Sequence, residues 1–180
     1  MEYSVSTLKT NTIQAATGST VNVASGHVLQ APGHVLQVQS TTVNSMVSQS
    51  AGGTGTFYDI SGMSVAITPK SASSKILVTY SVNVSNDTTG RNDTMRLLRD
   101  STAIVGTGGT NHNATEYFRL DSQWHIRNIN GNYLDSPNTT SATTYKLQWA
   151  MEGGVGYLNR RGGSADYSTI SGITVMEIAQ

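Results

Sequence analysis

The chain has 180 residues, only 12% of them charged, and its 11 basic and 11 acidic side chains cancel to a net charge of zero. This length allows one β domain of ordinary size with a tail left over. A neutral balance argues against nucleic-acid binding, which needs a basic surface, and the lack of cysteine excludes disulfides and thiolate metal sites. No apolar run approaches the roughly 18 residues of a membrane span, so no membrane insertion is expected. The first residues do not resemble a signal peptide, which predicts a protein made in a cytoplasm.

The first third of the chain is almost free of charge, because no acidic or basic residue lies between Lys9 and Asp59. It contains a direct repeat, GHVLQ, at residues 26–30 and again at 33–37. Disordered segments usually carry more charge and fewer β-branched residues. We therefore predict that residues 1–37 form an extended, β-rich arm for attachment or oligomerisation, with a flexible linker as the alternative.

Scattered apolar side chains in this arm would form strand edges that invite pairing if they were exposed. The predicted anchoring residues are Leu8, Ile13, Val21, Val23, Val28, Leu29, Val35 and Leu36. Closed symmetry would cover them, and a threefold axis would also gather copies of His27 and His34. Three imidazoles can hold a transition metal, but hydrogen bonding between chains is the simpler interpretation, and no cofactor is predicted.

From Val38 onward, apolar and polar residues alternate with the period of two that is typical of strands. Lys75 to Val84 is the clearest case, and its apolar face holds Ile76, Val78, Tyr80, Val82 and Val84. A second stripe holds Tyr145, Leu147, Trp149 and Met151. We predict an all-β fold in which residues 38–180 form an antiparallel β-sandwich or jelly roll.

Turns and short strands complete this prediction. Asp100-Ser101 and Asn130-Gly131 are both typical of tight hairpin turns. Residues 124–126, which include Trp124, are predicted as a short strand. The run 173–178 is apolar on both sides, which predicts a central strand.

No catalytic motif stands out, and the chain is predicted not to be an enzyme. The glycine-rich stretches lack the lysine and the following helix of a phosphate loop. The pairs Asp87 with Asp93 and Glu116 with Asp121 leave a polysaccharide-cleaving enzyme as a remote alternative. Loops on a rigid scaffold often carry binding residues, so loops 86–93 and 107–115 are the candidate receptor contacts. Their candidate residues are Asn86, Asp87, Arg91, Asn92, Asn111, His112 and Asn113.

Four stretches resemble short tail-fibre and virion structural proteins of marine and cyanobacterial tailed phages. They are residues 6–14 (STLKTNTIQ), 68–78 (TPKSASSKILV), 98–104 (LRDSTAI), and 134–137 (LDSP) running on to 143–148 (TTYKLQ). These are turn-and-strand signatures and not catalytic ones. The resemblance implies a trimeric β-sandwich carried on an N-terminal attachment segment.

These observations favour a bacteriophage virion structural protein. The first hypothesis is a trimeric tail-fibre or spike protein, anchored to tail, portal or capsid proteins by its arm and presenting its sandwich to a host surface glycan or protein. The alternative is a capsid decoration protein, either a cement protein or a head spike. Both hypotheses place the protein in the virion as a homotrimer that binds no nucleic acid.

Overall fold

The computed structural model describes residues 31–104, 106 and 113–180. Within them the chain forms eleven strands and no helix. The strands are β1 (Val35–Val43), β2 (Val47–Ser50), β3 (Tyr58–Ile67), β4 (Lys75–Asn86), β5 (Asp93–Arg99), β6 (Thr102–Ile104), β7 (Glu116–Phe118), β8 (Arg127–Asp135), β9 (Thr143–Ala150), β10 (Val155–Leu158) and β11 (Ser171–Ile178). Residues such as Val, Ile, Thr and Tyr suit a pleated, half-buried surface, while Gly, Asn, Asp and Ser suit the turns between strands.

The strands make two antiparallel sheets, which confirms the predicted all-β sandwich. One sheet has the order β1-β11-β4-β10-β2, with β8 also paired to β4. The other has the order β3-β9-β5-β6, with β7 also paired to β5. Strands β11 and β10 follow one another along one side of β4, and β8 takes the other side. The main orders β1-β11-β4-β8 and β3-β9-β5-β7 are those of an eight-stranded jelly roll.

The core lies between the sheets and contains the side chains that the alternation assigned to it. The apolar face of β4 is buried, as is the stripe on β9. Trp149 and Tyr145 are among the largest fully buried side chains. Burial of a large apolar side chain contributes roughly 1.5–3 kcal/mol, so these two stripes hold the sheets together. Strand β11 pairs on both sides, which confirms the predicted central strand.

The two ends of the sandwich differ in what they hold. Strand β1 begins at Val35 opposite Ile178, which also pairs with Lys75 at the start of β4. We call this the entry end, because residues 31–34 lead the chain into it. Strand β4 finishes at Asn86, at the opposite end, which we call the loop end. The 12 residues of β4 separate the two ends by about 36–40 Å, at roughly 3.3 Å per residue.

The domain boundary predicted at Val38 falls inside β1, because pairing with β11 begins at Val35. Val35 and Leu36, which were predicted to belong to the arm, therefore lie in the first strand of the sandwich. The other predicted anchoring residues lie outside the described residues, as does His27. His34 is exposed, and its carbonyl accepts a hydrogen bond from the backbone nitrogen of Ala179 at 2.9 Å.

Two local predictions were wrong. Asn130 and Gly131 do not form a turn but lie inside β8, where Gly131 pairs with Tyr80. The glycine is needed there because the Tyr80 ring occupies the space of a side chain. Trp124 does not lie in a strand either; it is the third residue of a turn, 122–125, in which the His125 nitrogen donates to the Ser122 carbonyl at 3.2 Å.

The predicted hairpin at Asp100 is confirmed. It joins β5 to β6, and Asp100 has a φ of 53°. Its carboxylate accepts a hydrogen bond from the Thr144 backbone nitrogen at 2.8 Å. Asp and Asn tolerate this left-handed conformation better than other residues with a side chain, which explains the choice of residue.

Candidate binding site at the loop end

Three connections meet at the loop end: residues 87–92, 119–126 and 159–170. The Gly90 nitrogen donates to the Leu120 carbonyl at 2.8 Å, which joins the first connection to the second. The second is joined to the third by the bond from the Gly163 nitrogen to the Gln123 carbonyl, at 2.9 Å. These backbone hydrogen bonds fix the three connections relative to one another, so the connections form one surface of defined shape.

An open cleft of about 500 Å³ lies between the first two connections, lined by residues 87–89 and 121–124. Trp124 forms one wall and is 51% exposed. Two carboxylates, those of Asp87 and Asp121, also line the cleft, together with hydroxyl and amide groups. The described lining holds no lysine or arginine, although Arg119 lies 3.8 Å from the Asp121 carboxylate.

The Trp124 ring is supported from behind. Gly163 lies so close to the six-membered part of the ring that an added β-carbon would sit 2.9 Å from it. The Arg161 guanidinium lies 5.3 Å from the ring centroid and stacks on Tyr167 at 4.0 Å. An arginine near an aromatic face is attracted by the ring quadrupole, and this cluster fixes the direction in which Trp124 points.

A buried polar network lies beneath these loops. The Asn86 side-chain nitrogen donates to the Asp93 carboxylate at 3.1 Å and to the Gly153 carbonyl at 3.0 Å. Its side-chain oxygen accepts from the Thr88 nitrogen at 2.8 Å. Asp93 also accepts from the Glu152 backbone nitrogen at 3.1 Å. Burial raises the pKa of Asp93 above its ordinary value, and these hydrogen bonds offset the rise only in part.

The predicted receptor-contact residues of the first loop differ in how exposed they are. Asn86 is 0% exposed, so its side chain does not reach the surface, and its amide is bonded within the network beneath the loops. Arg91 is exposed at the loop end, while Asp87 and Asn92 are half-buried there. The Asp87 carboxylate accepts from the Val155 nitrogen at 2.8 Å, so it also holds the loop to β10.

The second predicted contact loop is described only where it joins β6 and β7. Strands β6 and β7 pair with successive parts of the same side of β5, so the connection between them leaves from the middle of a sheet edge. Asn113 is exposed in this connection, whereas Asn111 and His112 lie outside the described residues.

The carboxylates considered for glycan cleavage have different surroundings. Asp93 is buried and accepts hydrogen bonds from its neighbours. Glu116 accepts from the Tyr80 hydroxyl at 2.8 Å, while Asp121 is exposed and lies 3.8 Å from Arg119. Across the part of the chain that the structure describes, no cluster of three His, Cys, Asp or Glu side chains suits a metal ion.

Sequence reasoning missed Trp124. It grouped this residue with two neighbours as a strand, which hid the one tryptophan that the fold leaves exposed. The available signal was its setting, DSQW at residues 121–124, because Asp and Ser favour turns. A tryptophan placed within a turn is poorly positioned for a sandwich core.

A second surface is the outer face of the larger sheet. The side chains on its exposed side carry no charge over several rows, and they include many Ser, Thr and Asn residues. One row near the entry end is apolar; we call it the apolar row, and it consists of Val38, Met176, Leu77 and Leu134. Val38 is 51% exposed and Leu134 48%, so the row presents apolar surface of the kind found at interfaces.

Comparisons with known proteins give a limited result. No protein-family model matches the chain, and no curated protein matches it. Among solved structures, the vertex protein P5 of PRD1 is 16% identical, with a TM-score of 0.46 over 81% of this chain and 99% of that one. A structure of the infectious bursal disease virus Gt strain is 12% identical, with a TM-score of 0.44 over 89% of this chain and 42% of that one.

A further solved structure, the VP2 subviral particle of infectious bursal disease virus, is 10% identical with a TM-score of 0.45. The match covers 89% of this chain and 42% of that one. With identities this low and TM-scores below 0.5, these likenesses say nothing of what this chain binds. No helix in the described residues is long and apolar enough to cross a membrane.

Proposed function

We propose that this chain is a structural protein of a tailed-phage virion, of the tail-fibre or spike type. Its N-terminal segment attaches it to the particle, and its jelly roll presents the loop end to the host surface. The single observation that supports this is that the chain enters the sandwich at one end and the cleft lies at the opposite end. Residues 31–34 enter at one end, and the cleft beside Trp124 lies at the other.

This arrangement of opposite ends suits a protein that presents a binding site away from the particle surface. A ligand site close to the attachment point would be shielded by the particle, whereas the length of β4 places the cleft about 36–40 Å from the entry end. Binding residues are commonly carried on loops held by a rigid scaffold. A capsid decoration protein would have the same arrangement of ends. The two roles differ in where the protein is located on the particle.

The attachment step is tested by removing residues 1–30, which leaves every described strand intact. We expect the truncated protein to keep the melting temperature of the full chain but to lose incorporation when both compete for particles that lack the native copy. A matched control removes only residues 1–5, before the first predicted anchoring residue. Incorporation of the truncated protein at the level of the full chain would contradict the proposal.

We further propose that the protein is a homotrimer whose copies meet at the apolar row. An uncharged face can meet a second copy without opposing like charges, and burial of half-exposed Val38 and Leu134 would drive the contact. The nearby edge strand β1 carries the chain into the sandwich at the same end, so trimer formation and attachment would be adjacent.

The trimer is tested with the double substitution Val38→Lys and Leu134→Lys. Light scattering should give three times the chain mass for the native protein and the mass of one chain for the variant. Thr42→Lys is the matched control, because Thr42 is also exposed on the same face of β1 but lies outside the apolar row. A monomeric native protein, or a double variant that remains trimeric, would contradict this contact.

A further inference from the structure

We infer that the cleft beside Trp124 binds a neutral saccharide. This inference rests on the proposed function for its biological setting, since a displayed virion protein would meet such ligands on a host surface. It rests on the structure for its chemistry. Large apolar side chains are usually buried in a sandwich, yet Trp124 is 51% exposed and lines a cleft.

The ring is held ready for a ligand. The Ser122 hydroxyl accepts from the Trp124 backbone nitrogen at 3.2 Å, and the following nitrogen of His125 bonds to the Ser122 carbonyl at 3.2 Å. Gly163 contacts one side of the indole, and Arg161 lies beside it. A ring fixed in this way loses little conformational entropy when a ligand binds, which favours affinity.

The polar groups beside the ring can form hydrogen bonds with the hydroxyl groups of a ligand. The Asp121 side chain is 87% exposed, so its oxygens are open to accept hydrogen bonds from a ligand. Gln123 and Thr89 supply both donors and acceptors in the same cleft. The Asp87 carboxylate is already bonded to the Val155 nitrogen, so it shapes the wall and adds negative charge.

A pyranose ring matches this arrangement. Its C–H groups make an apolar face that can stack on an indole, while its hydroxyl rim can donate to a carboxylate and pair with an amide. The volume of about 500 Å³ lies within the roughly 300–1,000 Å³ of small-molecule sites. The lining holds two carboxylates and no cation, and the neighbouring arginines Arg119 and Arg161 lie 3.8 Å from the carboxylates of Asp121 and Asp166. With these arginines already facing carboxylates, the cleft favours a neutral sugar over an acidic one.

The test uses the full-length protein on an array of immobilised bacterial polysaccharides and of neutral and acidic oligosaccharides derived from them. Neutral saccharides should bind, Trp124→Ala should weaken that binding at least tenfold, and Asp121→Asn should weaken it severalfold. Tyr133→Ala is the matched control, because it removes an exposed aromatic ring from β8, away from the cleft. We expect this control to bind as the native protein does.

Fold and function are checked separately. Asp121→Asn alters only an exposed carboxylate, so it keeps the test valid if Trp124→Ala lowers the melting temperature. Failure to bind any saccharide, a preference for acidic ones, or native binding by both cleft variants would overturn the inference. Incorporation of the protein into particles is measured independently, so a protein that binds sugar but is absent from virions would contradict the proposed function alone.

Discussion

The Tyr80 ring on β4 lies against the backbone of Gly131 on β8, in the space that a side chain at residue 131 would fill. The Tyr80 hydroxyl donates to Glu116 of the opposite sheet at 2.8 Å. Burial raises the pKa of Tyr80, and the hydrogen bond and negative charge of Glu116 raise it further. One phenol therefore connects β4, β8 and β7, and its position requires a glycine beside it.

The first prediction concerns this contact. Gly131→Ala should lower the free energy of unfolding by about 1–3 kcal/mol, because the added methyl group forces the Tyr80 ring to move. Urea denaturation measures the loss. Asn132→Ala, at the adjacent exposed position of β8, is the control and should change stability by no more than about 0.5 kcal/mol. Equal stability of the two variants would show that the ring does not need the space above Gly131.

The second prediction uses the two tryptophans, which lie in opposite environments. Trp149 is 1% exposed and Trp124 51%. Trp149→Ala should cost about 3–5 kcal/mol, whereas Trp124→Ala should cost less, because half of its surface is already exposed. In single-tryptophan proteins, acrylamide should quench Trp124 in the Trp149→Phe variant and hardly quench Trp149 in the Trp124→Phe variant. Similar quenching of both would contradict the placement of these side chains.

The third prediction concerns the network beneath the loop end. Asn86→Ala should lower the free energy of unfolding by about 1–3 kcal/mol, because buried polar partners such as Asp93 would lose a hydrogen bond. Arg91→Ala, in the same loop but exposed, is the control and should leave the melting temperature almost unchanged. If Asn86→Ala were as stable as Arg91→Ala, the network would have no structural role. Replacing the whole loop 86–93 should therefore also destabilise the fold.

The fourth prediction concerns pH. Glu177 is fully buried, and burial by itself would raise its pKa. Hydrogen bonds from Gln37 and from the backbone nitrogens of Lys70 and Ser71 outweigh that effect, so the pKa of Glu177 lies below its ordinary value. A carboxyl whose pKa is lowered by folding stabilises the protein above its unfolded pKa, about 4.3, and this contribution is lost as the pH falls through the folded pKa.

Glu177→Gln should therefore lower the free energy of unfolding by about 1–3 kcal/mol at pH 7, because an amide group would face backbone donors. The difference from the native protein should shrink as the pH falls below about 4. Asp121→Asn, at an exposed carboxyl, is the control and should change the free energy of unfolding at pH 7 by no more than about 0.5 kcal/mol. A difference between native protein and Glu177→Gln that stays constant down to pH 2 would contradict the role of the ionised carboxylate.

How much of this fold the sequence reveals depends on whether local signals and packing agree. In β4 they agree: Ile76, Val78 and Tyr80 alternate with polar neighbours, and they are buried as predicted. At Gly131 they conflict. Asn-Gly is locally a strong turn signal, but packing against Tyr80, which is 51 residues away in sequence, decides the outcome. Such a contact cannot be recognised from the local pattern.

The candidate site shows the same limit. The loop after β4 was correctly predicted as a loop, but Asn86 reads as an ordinary polar loop residue. Only the fold reveals its buried partners, Asp93 and Gly153. Trp124 and Asp87 come from different connections and meet in one cleft, so no single stretch of sequence indicates the site.

The central claim is that the chain is displayed on a virion with its loop end outward. The most direct measurement is immunogold electron microscopy of purified intact virus particles from the source of this sequence, with an antibody whose binding is abolished by Arg91→Ala at the loop end. We predict gold on intact particles, at the tail or its spikes for the favoured role and over the shell for the decoration role. Absence of gold from intact particles, when the same antibody binds the isolated protein, would contradict the account.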